Sequence, residues 1–168
     1  NLTIGLCGDL KFGRTVHSLI AALSRYTAIK MVLISPKELR VPDYVKTEVM
    51  EKNAIPYEET TDLPSAMPEL DILYMTRVQR ERFTDLMEYE RVKDVYVLKA
   101  AMLEKAKENM RILHPLPRVN EIAYDVDEDP HAYYFQQAKN GLYAREAIIC
   151  DALGLTIEDV RNDKTIIL

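Results

Sequence analysis

The chain has 168 residues, 48% of them hydrophobic, which is enough for one globular domain with a substantial core. Its formal net charge of -5 argues against a nucleic-acid surface, which needs clustered excess lysine and arginine, but leaves room for a local cationic pocket around a small anion. No apolar run approaches the roughly 20 residues of a membrane-spanning helix, and the N-terminus has no signal-like pattern; the 2 cysteines, Cys7 and Cys150, sit in separate apolar runs, so reduced thiols and a cytoplasmic location are expected.

The first residues, "NLTIGLCGD", read at once as a buried strand with almost no lead-in, as a domain of a longer polypeptide would begin. Gly8 and Gly13 then frame a turn. A helix follows, with Val16, Leu19, Ile20 and Leu23 at helical spacing behind Thr15 as cap. "KMVLIS" is a second strand, and "VPDYVKTEVMEKN" a second helix, with Pro42 near its first turn and Tyr44, Val45, Val49 and Met50 on one side. "IPYEE" gives a short strand and "DILYMT" another.

Residues 78–93, "VQRERFTDLMEYERVK", carry many charges and too few apolar residues for a stripe, and so read as a partly mobile surface excursion. "RILH" is the last strand. The chain must leave the sheet there, because the two prolines of "HPLPRVNEI" lack backbone donors. A final helix is expected from His131 to Leu153, with Tyr134, Ala138, Leu142, Ile149 and Leu153 on one face, Arg145 on that same face, and Gly154 as stop. The tail "TIEDVRNDKTIIL" reads as one more helical turn and a terminal apolar anchor. Short β-rich runs alternating with helical segments give an α/β class: a single domain with a doubly wound, mostly parallel sheet, helices on both faces, closed by the long C-terminal helix.

Ligands of open α/β sheets bind beyond the carboxyl ends of the strands. The first strand is followed by Lys11, Arg14 and Thr15, the strand "DILYMT" by Arg77 and Gln79, and "RIL" by the double-proline loop. Guanidinium forks match carboxylates, and two of them suit a small dicarboxylate. Two readings stand for Arg14 and Arg77: a fork on a ligand, or surface charges. For the loop they are a stiff surface turn or a wall of carbonyl groups facing a ligand.

Rival motifs fail on their residues. "GLCGDLKFG" lacks the spacing of a dinucleotide loop, and the second strand ends in Ser35 where an acid for a ribose belongs, which weakens a nucleotide-dependent oxidoreductase. "DVDED" starts like a calcium loop, but Pro130 and Gln136 occupy its glycine and glutamate positions, leaving a solvated acidic turn. His17, His114 and His131 have no mutual metal spacing, and no nucleophile elbow is present, so neither a metal site nor covalent catalysis is expected.

"GDLKFGRTVHSL", "YMTRVQRERF", "HPLPRVNEI" and "YYFQQAKNGLYAREA" together closely resemble the catalytic chains of the aspartate carbamoyltransferase family, in the C-terminal, aspartate-binding half. The carbamoyl-phosphate half, with its Ser-Thr-Arg-Thr phosphate loop and its own catalytic histidine, has no counterpart in this sequence, and no catalytic residue is assigned here. The resemblance implies that Arg14 and Arg77 grip the carboxylates of L-aspartate, with Gln79 beside them and Lys11 and Thr15 completing the pocket edge. It implies that the backbone of Leu116 and Pro117, joined by a cis bond, contacts the carbamoyl group of carbamoyl phosphate.

The segment 78–93 matches the loop that moves over the site in this family, with Glu88 and Tyr89 exchanging partners as it closes. Arg145 either supports the site from the last helix or snorkels past an apolar face. His114 is either a structural turn histidine or a direct participant. The sister enzyme for ornithine carries a His-Cys-Leu-Pro loop; Pro115 stands at the cysteine's place here, which favours aspartate. The resemblance further implies no cofactor, a homotrimer whose contacts come largely from the other half, and in some members regulatory chains. A stand-alone dicarboxylate-binding or regulatory module without catalysis is the competing reading.

Overall fold

Five short runs become the strands β1 (Leu2–Cys7), β2 (Ile29–Ile34), β3 (Tyr57–Thr60), β4 (Ile72–Met75) and β5 (Arg111–Leu113) of one parallel sheet, ordered β3-β2-β1-β4-β5, in a computed structural model that describes residues 1–156 and 158–159. Every neighbouring pair runs parallel. Each connection must therefore cross a face of the sheet, and burial on both faces is what makes the central strands almost continuously apolar.

Alternate residues serve opposite faces. On one, Ile4 and Leu6 of β1 and Met31 and Leu33 of β2 pack with Val16 and Ile20 of α1 (Arg14–Leu23). On the other, Cys7, Val32, Ile34, Leu73 and Met75 pack with Leu63 and Ala66 of a short helix, Leu63–Ala66, and with Met67 and Leu70. The doubly wound, both-faces-covered sheet expected from the sequence is the architecture found. The chain winds from β1 outward to β3, then returns to set β4 and β5 on the other flank of β1. This reversal opens a crevice beyond the ends of β1 and β4.

Several local expectations need correction. α1 starts at Arg14 with Gly13 at the N-cap and no side-chain capping bond, so Thr15 lies inside the helix. The second helix, α2 (Asp43–Val45), passes into a π-helical turn, Lys46–Glu51. In that wider winding Val45 and Met50 share the buried side, while Tyr44, expected beside them, is 57% exposed. The helix Leu63–Ala66 is α3, capped by Asp62, whose carboxylate accepts the Ser65 N–H at 3.0 Å.

The charged excursion contains a helix, α4 (Leu86–Val92), capped by Asp85, which accepts the Met87 N–H at 2.8 Å. It buries only Val92, which is why no stripe shows in the sequence. The acidic turn "DVDED" is more than solvated: Asp125 accepts the Ala100 N–H, Asp127 binds Arg118 and Tyr134, and Asp129 binds His131. Residues 131–133 do not begin the last helix. They extend beside β5, with the Ile112 N–H on the His131 carbonyl at 2.8 Å and the Tyr133 N–H on the Ile112 carbonyl at 3.0 Å.

The chain divides into two units, Asn1–Tyr134 and Phe135–Leu168. The sheet and everything above belong to the first. The second carries the rest of α5 (Tyr134–Ala152), a 19-residue helix that ends as expected at Gly154, φ +67°. There the Leu155 N–H reaches the Cys150 carbonyl at 2.9 Å and the Gly154 N–H the Asp151 carbonyl at 3.0 Å, satisfying two terminal acceptors. Of its expected apolar face only Tyr134 is buried; Leu142, Ile149 and Leu153 are more than half exposed. The expected terminal turn and anchor fall largely outside the described residues. Among the described residues no helix is long and apolar enough to cross a membrane.

Candidate functional site

The exits of β1 and β4 are locked together by close backbone approach. The Cys7 carbonyl accepts both the Thr76 N–H at 2.8 Å and the Thr76 hydroxyl at 3.1 Å. Gly8, next in the chain, has φ +118°, and a Cβ there would lie 2.2 Å from the Thr76 carbonyl oxygen. Only glycine fits.

Asp9 then turns the chain. It is 1% exposed, and its Oδ1 accepts the N–H groups of Lys11 at 3.1 Å and Phe12 at 2.9 Å. Its Oδ2 is buried with no hydrogen-bond partner among the described residues. Burial pushes the carboxyl above its ordinary range, against the pull of the two N–H bonds. The turn delivers Arg14 and Thr15, at the head of α1, to a cleft of about 280 Å³.

Opposite them, the segment after β4 supplies Thr76, Arg77, Gln79 and Arg82 to the same cleft. The Arg77 guanidinium donates to Glu81 at 3.0 Å, and Arg82 donates to the Gln79 side-chain oxygen at 3.3 Å. The third wall is His114–Pro115–Leu116–Pro117. The Leu116–Pro117 bond is cis and Leu116 has φ +49°. His114, 1% exposed, receives the Leu116 N–H on Nδ1 at 2.8 Å and faces Glu121 Oε1 through Nε2 at 2.8 Å.

The loop's exit is held as firmly. Arg118 forks onto both oxygens of Asp127, donates to the Tyr134 hydroxyl at 3.1 Å, and lies 4.7 Å from the Tyr124 ring centroid. That pairing holds the Asp127 carboxyl below its ordinary range.

Six residues named from the sequence, Arg14, Thr15, Arg77, Gln79, Leu116 and Pro117, thus line one cleft. Lys11 lies instead along a separate groove with Lys37, Arg40 and Asp43, its ammonium 4.9 Å from the Phe12 ring. Glu88 is in the first turn of α4. Tyr89 packs on Phe83, centroids 5.6 Å apart, and borders a small neighbouring pocket with Arg77 and Glu121. Arg145 lies on α5 in the second unit, its guanidinium across Gly141. The sequence reading missed Asp9 and Arg82. Asp9 left a signal, an Asx-type acceptor two and three residues ahead of the N–H groups it binds; Arg82 stood in a run of charges with nothing to single it out.

Residues 1–151 match the family model described as aspartate/ornithine carbamoyltransferase, Asp/Orn binding domain. The chain belongs to that family. It is 64% identical over 152 residues to an aspartate carbamoyltransferase catalytic subunit from Clostridium perfringens, covering 90% of this chain and 50% of that one. With the catalytic subunit from Bacteroides thetaiotaomicron it shares 61% identity over 163 residues, covering 97% and 52%.

Two solved structures share the carbamoyltransferase fold. The catalytic subunit of M. jannaschii aspartate transcarbamoylase has a TM-score of 0.81 at 45% identity, covering 89% of this chain and 49% of its own. The Trypanosoma cruzi aspartate transcarbamoylase in complex with carbamoyl phosphate and aspartate has a TM-score of 0.82 at 38% identity, covering 89% and 49%. The chain spans about half the length of these relatives.

Proposed function

We propose that this domain is the aspartate-binding half of a cytoplasmic aspartate carbamoyltransferase of pyrimidine biosynthesis. The α-amino nitrogen of L-aspartate attacks the carbonyl carbon of carbamoyl phosphate. The new C–N bond replaces the C–O bond to phosphate, a proton leaves the nitrogen, and carbamoyl-aspartate and phosphate are the products. No cofactor enters this balance. The observation that carries the reading is that Arg14 and Arg77, from two different strand exits, line one cleft. Two cations matched to two carboxylates select a dicarboxylic amino acid over a neutral or cationic one.

Gln79, Arg82 and Thr15 complete the acidic substrate's surroundings, and the Leu116 and Pro117 backbone meets the carbamoyl group. Placement of two reactants and fixed charge around the tetrahedral centre then supply catalysis. Carbamoyl phosphate is held chiefly by an N-terminal domain, which the exposed Leu142, Ile149 and Leu153 on α5 fit as a packing partner. α4, with Glu88 and Tyr89, covers the site as it closes, and the intact enzyme is a homotrimer, in some settings with regulatory chains. Carbamoyl-aspartate formation by the full-length protein, assayed with aspartate and with ornithine, tests the reading. Activity with aspartate alone is expected; a preference for ornithine refutes it.

A further inference from the structure

His114 and Glu121 form a buried pair that the grip on aspartate leaves without a task. Their residues are 1% and 7% exposed. The Leu116 N–H is directed at His114 Nδ1 over 2.8 Å, so that nitrogen carries a lone pair and accepts. The other ring nitrogen lies 2.8 Å from Glu121 Oε1.

Glu121 is itself fixed, its Oε2 accepting the N–H groups of Val119 at 3.1 Å and Asn120 at 3.0 Å. Burial alone would raise the Glu121 carboxyl, but its hydrogen bonds from His114 and the backbone outweigh that and hold it below its ordinary range. An ionised carboxylate has no proton to give, so the proton of the shared bond belongs to Nε2. A proton on Nδ1 would set one N–H against another at Leu116.

We infer that His114 is a positioning residue for carbamoyl transfer: Glu121 holds it as the neutral Nε2–H tautomer, and its Nδ1 lone pair fixes the Pro115–Leu116 peptide plane in the cleft wall. This rests on the functional reading above, in which the Leu116 and Pro117 backbone faces the carbamoyl group. His114 touches no reacting atom in this scheme. It acts through the Leu116 amide, and Glu121 acts through His114.

Two substitutions separate this role from simple packing. Asparagine can place an oxygen where Nδ1 stands, whereas glutamine reaches toward Glu121 and offers Leu116 nothing. In the full-length enzyme, His114→Asn should keep kcat/KM for carbamoyl phosphate within about threefold of wild type and His114→Gln should lower it about tenfold or more. Equal losses, or a larger loss in His114→Asn, would overturn the inference.

A second measurement covers variants that fail to fold. 15N NMR of wild-type protein labelled with 13C and 15N, the His114 ring assigned through its own through-bond correlations to the backbone, should show an unprotonated Nδ1 at neutral pH. A protonated Nδ1 overturns the inference. If the wild-type enzyme makes no carbamoyl-aspartate, the functional reading fails, and the NMR signal still decides the tautomer.

Discussion

Replacing Gly8 by alanine perturbs the cleft at the point where its two arginine-bearing walls are joined. The added Cβ would sit 2.2 Å from the Thr76 carbonyl oxygen and 2.6 Å from its Oγ1, and the first of these is backbone that cannot rotate away. Holding a non-glycine residue at φ +118° costs about 1–3 kcal/mol, and relieving the overlap a further ~1–3 kcal/mol, for a total of about 2–6 kcal/mol. That is a large share of the roughly 5–15 kcal/mol that holds a domain folded.

In a urea titration with an m-value of about 2 kcal/mol/M, the midpoint should fall by about 1 M or more. The movement also has a direction: β1 and β4 must separate, which parts Asp9 from Thr76 and widens the cleft. A midpoint within about 0.2 M of wild type, at unchanged m-value, would refute the claim that this approach is tight.

Arg118→Ala should lower stability by about 1–3 kcal/mol, because it strips a forked ion pair from Asp127 and leaves the Tyr134 hydroxyl a donor short; differential scanning fluorimetry should record a fall of about 2–4 °C per kcal/mol. Acid should destabilise the fold through Glu121 and Asp127. Both are held below their ordinary values of 4.5 and 3.8, so the stability they contribute is complete above those values and is lost as pH falls through their lower folded values. Asp9 opposes this: its carboxyl is raised, so the cost of its buried charge is relieved on acidification. Urea titrations from pH 6 downward should therefore show a steeper loss in wild type than in Asp127→Asn, and parallel curves would contradict the assignment.

The strands were legible because residues buried on both faces write unbroken apolar runs, as in β1, β2 and β4. The short helix α4 was not. α4 hides only Val92, and its one cue was the Asp85 to Glu88 spacing of a capped first turn. The helical reading of residues 41–53 rightly set Val45 with Met50 but put Tyr44 beside them, and in the π-helical winding Tyr44 is left exposed.

At the site, Arg14, Arg77 and the double-proline loop were legible because strand exits in an open parallel sheet must converge. Asp9 was overlooked, since its work is done on backbone N–H groups inside a loop and its one mark is an Asx-type spacing rather than a period. Lys11 shows the converse. A lysine two residues after that acid is carried by the same turn to a different groove.

The pairing of Arg77 with a substrate carboxylate is tested most directly by the KM for aspartate in full-length Arg77→Ala enzyme. Removing one partner of such a charge pair costs about 2–5 kcal/mol, so the KM should rise at least tens-fold while that for carbamoyl phosphate changes far less. A rise in the aspartate KM below about threefold would mean that Arg77 serves Glu81 alone, and that the two guanidinium groups do not share one ligand.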